Sequence, residues 1–406
     1  MGLKHFRRIL CLATGFWVLT WGVPDLMFSA EPKPGDVIDA SNVDSFNEYL
    51  PFFMIGMVKD GWQFVDPVVI HVTDTTENLP PKAYMEATQK NGGKTHLNED
   101  GTVSGYETGF PFPDPQEPNK ALKIMWNLYY RWRADDFHYP SGFITNTQRF
   151  GGTVSTGETL ITQVYYTHRT VVDPKPNLEN PNNLHFAMTL NSRTPPNKDM
   201  ITLTWRYEEP TRHDDMWTYI PPLRRTLRMV SSERGNPVRG TPFTWDDFYG
   251  FDGKILMFQY ELTGEQRVLG LFNQKTLAVG KYNRGYPHPV ISGRDDPFEM
   301  REVFMVDAVS LDPRYAESKK TIFVPKDHFY PIYTQSYDKQ GNFWKAMCNG
   351  FMKAETAQGD TGCWLTQSST TDFKTKYWTQ NIQRDLCLNC DIDVDQFDPA
   401  IMGVGF

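Results

Sequence analysis

Residues 200–231, MITLTWRYEEPTRHDDMWTYIPPLRRTLRMVS, decide the fold class. Side chains alternate in character from Met200 to Tyr207 and again from Met216 to Ile220, and a third short run follows from Arg225 to Ser231. A period of two marks strands with two unlike faces, and the intervening Pro, Asp and Arg residues mark turns. Leu203, Trp205 and Tyr207 share one side of their strand and Trp217 and Tyr219 one side of theirs, while Thr202, Thr204 and Arg206 stand opposite.

The same pattern extends in both directions. Strands are predicted at Leu160–Thr167 and Leu184–Leu190 before this stretch, and at Ile255–Leu262, Val268–Phe272, Glu302–Val309, Lys320–Val324 and Ile332–Tyr337 after it. Asn182-Asn183, Pro195-Pro196-Asn197, Asp252-Gly253, Thr263-Gly264 and Lys339 to Asn342 punctuate them. No helix-length pattern intervenes, so the strands form an antiparallel meander rather than βαβ units.

Upstream the composition changes. Residues 31–142 are rich in Pro and Gly, and stretches such as Pro80-Pro81 and Phe110 to Pro115 lie extended over a surface. Short helices are predicted at Val43–Tyr49 and Pro81–Asn91. A longer one runs from Lys120 to Ala134, with Asn119 as its cap and an aromatic stripe packed on the core. The expected class is therefore mainly β (α+β): a large antiparallel sheet with covering helices. Its expected divisions are a signal peptide at 1–30, an N-terminal segment with covering helices at 31–142, the sheet at 143–345, and a cysteine-containing C-terminal extension at 346–406 packed on the same domain.

The start of the chain is an export signal. Lys4, Arg7 and Arg8 precede an apolar run from Ile9 to Val23, and Phe28-Ser29-Ala30 offers a cleavage site. The expected location is the periplasm, with membrane association if the leader stays in place as an anchor. The leader carries three positive charges and Asp25, so its removal takes the formal charge from −8 to −10. That balance, without a basic stripe, excludes nucleic acid as a partner. The densest basic run, Arg224, Arg225 and Arg228, is expected to pair with Asp246, Asp247 and Asp252.

Four cysteines remain after the leader: Cys348, Cys363, Cys387 and Cys390. In an oxidising compartment they are expected as structural disulfides, with Cys348–Cys363 and Cys387–Cys390 preferred among three connectivities. Asp391 stands where a haem-attachment motif needs His, and a four-cysteine zinc site needs two close pairs. Asp391, Asp393 and Asp395 imitate the start of an EF-hand loop, but Gln396 and Met402 occupy the Gly and Glu places. His138, His168, His185 and His213 fall in or beside the sheet without a hydrolase or zinc-peptidase motif, and His213-Asp214-Asp215 reads as a polar strand end. No cofactor, metal or catalytic residue is expected.

Three stretches resemble a known family in order and composition: Asp214 to Arg225, Thr244-Trp-Asp-Asp-Phe-Tyr-Gly-Phe-Asp-Gly253, and Tyr260 to Glu265. They are similar to the exported Gram-negative proteins of domain of unknown function (DUF) 1329. Lys320 to Lys345 resembles the two-strand ending that this family shares with the lipoprotein-sorting carriers LolA and LolB. The resemblance spans roughly residues 105 to 345. It implies an open, strongly curved half-barrel, lidded by helices, that accepts acyl chains or another apolar ligand, and it supplies no catalytic residues. The expected function is a periplasmic carrier of a lipid or other hydrophobic small molecule, not an enzyme, working with an inner-membrane exporter or an outer-membrane protein. Alternatives are an envelope subunit that docks on such machinery without a ligand, and a hydrolase. Trp205, Tyr207, Trp217, Tyr219, Phe258, Tyr260 and Phe304 are the expected ligand-lining residues.

Overall fold

The computed structural model describes residues 30–402 apart from 78, 141, 150, 151, 230–233, 275–287, 292–295 and 384. The predicted leader, Ala30 excepted, lies outside the described residues.

Among the described residues one continuous sheet has seventeen strands, four of them short pieces of two or three residues and thirteen that form its body. The thirteen are β1 (Phe143–Arg149), β2 (Gly152–Tyr165), β3 (Leu184–Ser192), β4 (Ile201–Tyr207), β5 (Asp215–Ile220), β6 (Arg225–Met229), β7 (Phe258–Leu271), β8 (Pro297–Ser310), β9 (Lys319–Pro325), β10 (Tyr333–Tyr337), β11 (Phe343–Glu355), β12 (Thr361–Asp372) and β13 (Tyr377–Gln383). Each pairs antiparallel with its sequence neighbour from β1 to β6 and from β7 to β13. The last strand then pairs with the first, from Tyr377 opposite Arg149 to Gln383 opposite Phe143. Two meanders thus become one sheet of spatial order 6-5-4-3-2-1-13-12-11-10-9-8-7.

The second meander curls on itself, because Leu271 at the end of β7 meets Gly350 of β11 in parallel across the three strands between them. A second parallel contact joins the start of β8 to a short strand at Ile70–Val72, so the predicted purely antiparallel sheet is slightly mixed. The class is mainly β, a large curved sheet with covering helices.

Residues after 345 are central to this sheet. A boundary at 345/346 falls inside β11, and β11 to β13 are the strands that link the two meanders. The predicted Cys348–Cys363 bridge does not form. Cys348 lies opposite Ser369, and Cys363 lies opposite Lys353, five residues further along β11. At about 3.4 Å per residue that offset is roughly 17 Å, far beyond disulfide reach. Cys387 and Cys390 are bridged.

Among the described residues three α-helices pack on the core. The predicted segment at Val43–Tyr49 is a 3₁₀ turn. It is followed by an unpredicted helix α1 (Phe52–Asp60), which stops where Gly61 takes the left-handed conformation at φ 58°. Phe53 of α1 packs edge-on against Tyr333 of β10. Helix α2 (Lys82–Asn91) matches its prediction.

Helix α3 (Lys120–Tyr130) buries Ile124 to Tyr130 against β7 and β3. Full burial of each large apolar side chain contributes about 1.5–3 kcal/mol. Asn119 does not cap it: its backbone is left-handed at φ 64° and its side chain makes no capping bond. The helix also ends four residues before the predicted Ala134, because Arg131 turns extended and its guanidinium donates to the Leu128 and Tyr249 carbonyls. A cation on the terminal carbonyls favours that stop.

His328, in the loop between β9 and β10, is buried between Phe272 and Phe351, and its Nδ1 accepts from the Tyr330 N–H at 3.1 Å. Burial pushes its pKa down to about 4, against the opposing pull of Asp327. Between pH 6.5 and 4 the unfolded chain therefore binds a proton that the folded chain refuses. The contribution is present in full above pH 6.5 and declines as pH falls toward 4, by roughly 2–4 kcal/mol. Urea titrations across this range should show that decline, and His328→Asn, which keeps an acceptor for Tyr330, should flatten it. An unchanged slope in the variant would assign the acid sensitivity elsewhere.

Candidate ligand cavity

Cross-strand register sets which side chains meet on the inner face. Thr379 of β13, Thr147 of β1 and Ser155 of β2 form one row. Further along, Ile161 of β2, Leu190 of β3 and Thr202 of β4 form another. Asn381 and Gln383 of β13, Ser368 of β12, and Thr159 and Ser192 of β2 and β3 extend this floor. Over it lies a cavity of about 190 Å³, rimmed at the β3–β4 turn by Thr194, Pro195, Pro196 and Asn197.

The roof is the segment 238–249. Val238, Phe243, Trp245, Phe248 and Tyr249 face the cavity. Trp245 and Phe248 stack at 5.4 Å, Phe243 meets Phe248 edge-on at 4.9 Å, and the Tyr249 hydroxyl donates to Gln163 Oε1 at 3.1 Å. A capping box starts the turn, with the Asp247 carboxylate accepting from the Thr244 N–H at 2.8 Å.

The acidic residues of this segment anchor it. Asp246 accepts from Arg234 at 2.9 Å, and Asp247 from Lys320 at 2.8 Å. Asp252 meets Arg133, Arg206 and Arg234 at 3.0–3.1 Å. None of the three pairs with the 224–228 run, contrary to expectation; Arg228 instead donates to Asp215. Stretch 244–253 therefore does two jobs: its aromatic residues roof the cavity and its carboxylates tie that roof to the sheet and to β9.

None of the seven predicted lining residues borders the cavity. Trp205 and Trp217 meet edge-on at 5.1 Å on the outer face, where Trp205 Nε1 donates to the Phe397 carbonyl at 2.8 Å. Tyr207 is buried in the same outer cluster, its hydroxyl donating to Asp215, and Tyr219 packs against that cluster. Phe258 packs on Phe251 and Tyr315, with Tyr260 stacked beside it. Phe304 lies near Phe329 beneath the Lys120 and Lys326 ammonium groups. On β4 and β5 the faces are inverted relative to expectation because the end of the chain, through Phe397 and Met402, covers the aromatic side, whereas Phe258 and Phe304 lie in the main core away from the cavity. The Thr side holds the cavity and the buried ions.

The histidines are not all scattered. His213 is exposed, and Asp214 beside it turns away to Arg206 and Arg234. His168 and His185, by contrast, converge on Glu208. His168 Nε2 is 2.8 Å from Glu208 Oε1 and His185 Nδ1 is 3.1 Å from Glu208 Oε2. Burial would raise the Glu208 carboxyl, but the two imidazoles and their hydrogen bonds hold it well below the usual range. Strand register carries the missed signal, since Tyr165, Phe186 and Arg206 align across β2, β3 and β4 and bring the adjoining residues together.

A family model described as protein of unknown function (DUF1329) matches residues 37–394. The chain belongs to that family. This DUF1329 protein is similar in structure to an outer membrane lipoprotein-sorting protein domain from Vibrio parahaemolyticus, at 15% identity and a TM-score of 0.51, over 70% of this chain and 98% of that one. A DUF1329 family protein from Desulfovibrio piger aligns at 13% identity and a TM-score of 0.46, over 66% and 92% of the two chains. A LolA superfamily protein from Nitrosomonas europaea aligns at 12% and 0.41, over 66% and 93%. Comparison with curated proteins finds no match. The fold of the DUF1329 chain is thus shared with the Vibrio parahaemolyticus domain: a large, curved, mainly β sheet with covering helices. Among its described residues no helix is long and apolar enough to cross a membrane.

Proposed function

We propose that this DUF1329 protein is a periplasmic carrier that binds a lipid or other hydrophobic ligand beneath segment 238–249, converts nothing, and hands it to envelope transport machinery. The observation that carries the reading is the inner-face cavity with an aromatic roof and a floor of hydroxyl and amide groups. Such a lining suits an amphiphile, with apolar surface against Phe243, Trp245 and Phe248 and polar atoms toward Thr379 and Asn381. Burial at about 25 cal/mol per Å² supplies affinity and the floor supplies orientation. A volume of 190 Å³ is below the range of roughly 300–1,000 Å³ for drug-sized ligands, so a full acyl chain requires the roof to lift. The lipoprotein-sorting description of the Vibrio parahaemolyticus domain agrees with this reading. The leader at 1–30 supports the periplasm, and an inner-membrane exporter or an outer-membrane protein is the partner for handover.

The test is native mass spectrometry and organic extraction of protein purified from a Gram-negative periplasm without detergent. Lipid at about one equivalent per chain is the expected result. Protein that is empty, and stays empty after incubation with phospholipid vesicles, overturns the proposal.

A further inference from the structure

We infer that His168, His185 and Glu208 form a binding site for a divalent transition-metal ion of the zinc class, separate from the cavity. Three adjacent strands deliver the ligands to one end of the sheet: His168 follows β2, His185 is the second residue of β3, and Glu208 follows β4. One donor atom from each lies within 4.8 Å of the others. An ion held at about 2.0–2.2 Å by each donor in tetrahedral geometry needs them roughly 3.3 Å apart. His168 Nε2 and His185 Nδ1 stand 2.8 and 3.1 Å from the two different oxygens of Glu208, so a small turn of the carboxylate, and a closing of the widest donor pair from at most 4.8 Å, brings the three onto one ion.

Hydrogen-bond bookkeeping points the same way. His168 Nδ1 is 2.6 Å from the Glu107 carbonyl oxygen, which can only accept, so Nδ1 carries the hydrogen. Nε2 then faces a carboxylate oxygen at 2.8 Å, a position that either a proton or a metal ion can fill. A backbone carbonyl that fixes the distal tautomer is the usual outer support of a metal-bound imidazole. On the other side Thr167 donates to Glu208 Oε2 at 2.8 Å and lies 3.1 Å from His185 Nδ1.

The rings are held in place. Tyr106 and Tyr130 flank His168 at 4.6 and 5.1 Å, and Tyr129 stacks on His185 at 5.2 Å. Glu208 and His168 are 26% and 17% exposed, so an ion reaches the site from solvent and water completes its coordination. Two imidazoles and one carboxylate suit Zn²⁺ and its neighbours rather than Mg²⁺ or Ca²⁺, which take oxygen ligands. The other grouping of this kind among the described residues, His138 with Cys387 and Cys390, has both sulfurs committed to the disulfide.

The experiment uses the full chain, stripped with EDTA, dialysed without reductant and titrated with cobalt(II) chloride, then zinc chloride. Visible d–d bands that saturate at one equivalent and are displaced by zinc are expected, with a thermal midpoint that rises with zinc concentration. His168→Ala and Glu208→Gln, both at partly exposed positions, should each weaken binding by at least about 100-fold while circular dichroism stays unchanged. The wild-type titration alone decides the matter if a variant misfolds. Absence of saturable binding up to millimolar cobalt overturns the inference. So does binding that survives both substitutions, or a thiolate charge-transfer band that places the ion on cysteine.

Discussion

Arg206→Leu should destabilise the protein by about 3–5 kcal/mol, a large fraction of a typical folding free energy. Arg206 has no exposed surface. It donates to Asp214 at 2.9–3.2 Å and to the Asp252 carbonyl at 2.9 Å, and it meets the Asp252 carboxylate at 3.0 Å. Burial alone would raise the Asp214 carboxyl, but Arg206 and Arg234 beside it hold it well below the usual range. Leucine fills part of the space and leaves two buried carboxylates facing each other with weakened compensation. Replacing a whole buried ion cluster by apolar groups is often neutral, whereas removing one partner is costly. The double variant Arg206→Leu with Asp214→Leu should therefore be less damaged than the sum of its parts. Urea unfolding of the four proteins in this cycle measures the coupling. A loss under about 1 kcal/mol for Arg206→Leu would mean that the network does not hold the roof segment through Asp252.

The same residue shows where sequence reading succeeds and where it stops. Alternation from Met200 to Tyr207 and from Met216 to Ile220 locates β4 and β5 to within a residue, because a period of two is a local property. It does not say which face is inside. Trp205 and Tyr207 are the obvious choice for the interior, yet the interior side carries Thr202, Thr204 and Arg206, since Arg206 finds Asp214 and Asp252 there and the aromatic side is covered by Phe397. Strands β12 and β13 escape notice for a related reason. Their inner positions, such as Ser368, Thr379 and Asn381, are polar, so LTQSSTTD and YWTQNIQ lack the apolar alternation that marks a strand. The pairing of β13 with β1 joins residues more than two hundred positions apart, and no local signal records it. The stretch 244–253 is legible as a family motif, but its division into roof aromatics and anchoring carboxylates appears only when Arg234, Lys320 and Arg206 are brought beside it.

Gly157→Phe should abolish ligand retention, lowering lipid occupancy in the extraction experiment more than tenfold while leaving the protein folded. Gly157 lies in the middle of β2 on the floor of the cavity, and a Cβ built there meets only Thr194 Oγ1, at 3.7 Å, an ordinary contact. The space beyond is the cavity itself, so a benzyl side chain occupies volume that the ligand needs. A glycine inside a strand already costs about 0.5–1 kcal/mol in chain entropy relative to alanine. Substitution recovers some of that against an overpacking cost of roughly 1–3 kcal/mol if the ring presses on the roof. Stability therefore changes little compared with the loss expected for Arg206→Leu, and thermal melting separates a blocked cavity from an unfolded chain. Gly350 makes the contrast, since a Cβ there would meet Gln274 Oε1 at 2.3 Å and force a packed side chain to move. A folded Gly157→Phe protein that still carries a full equivalent of lipid would place the ligand outside the region between β2 and segment 238–249, and the carrier reading would then need another site.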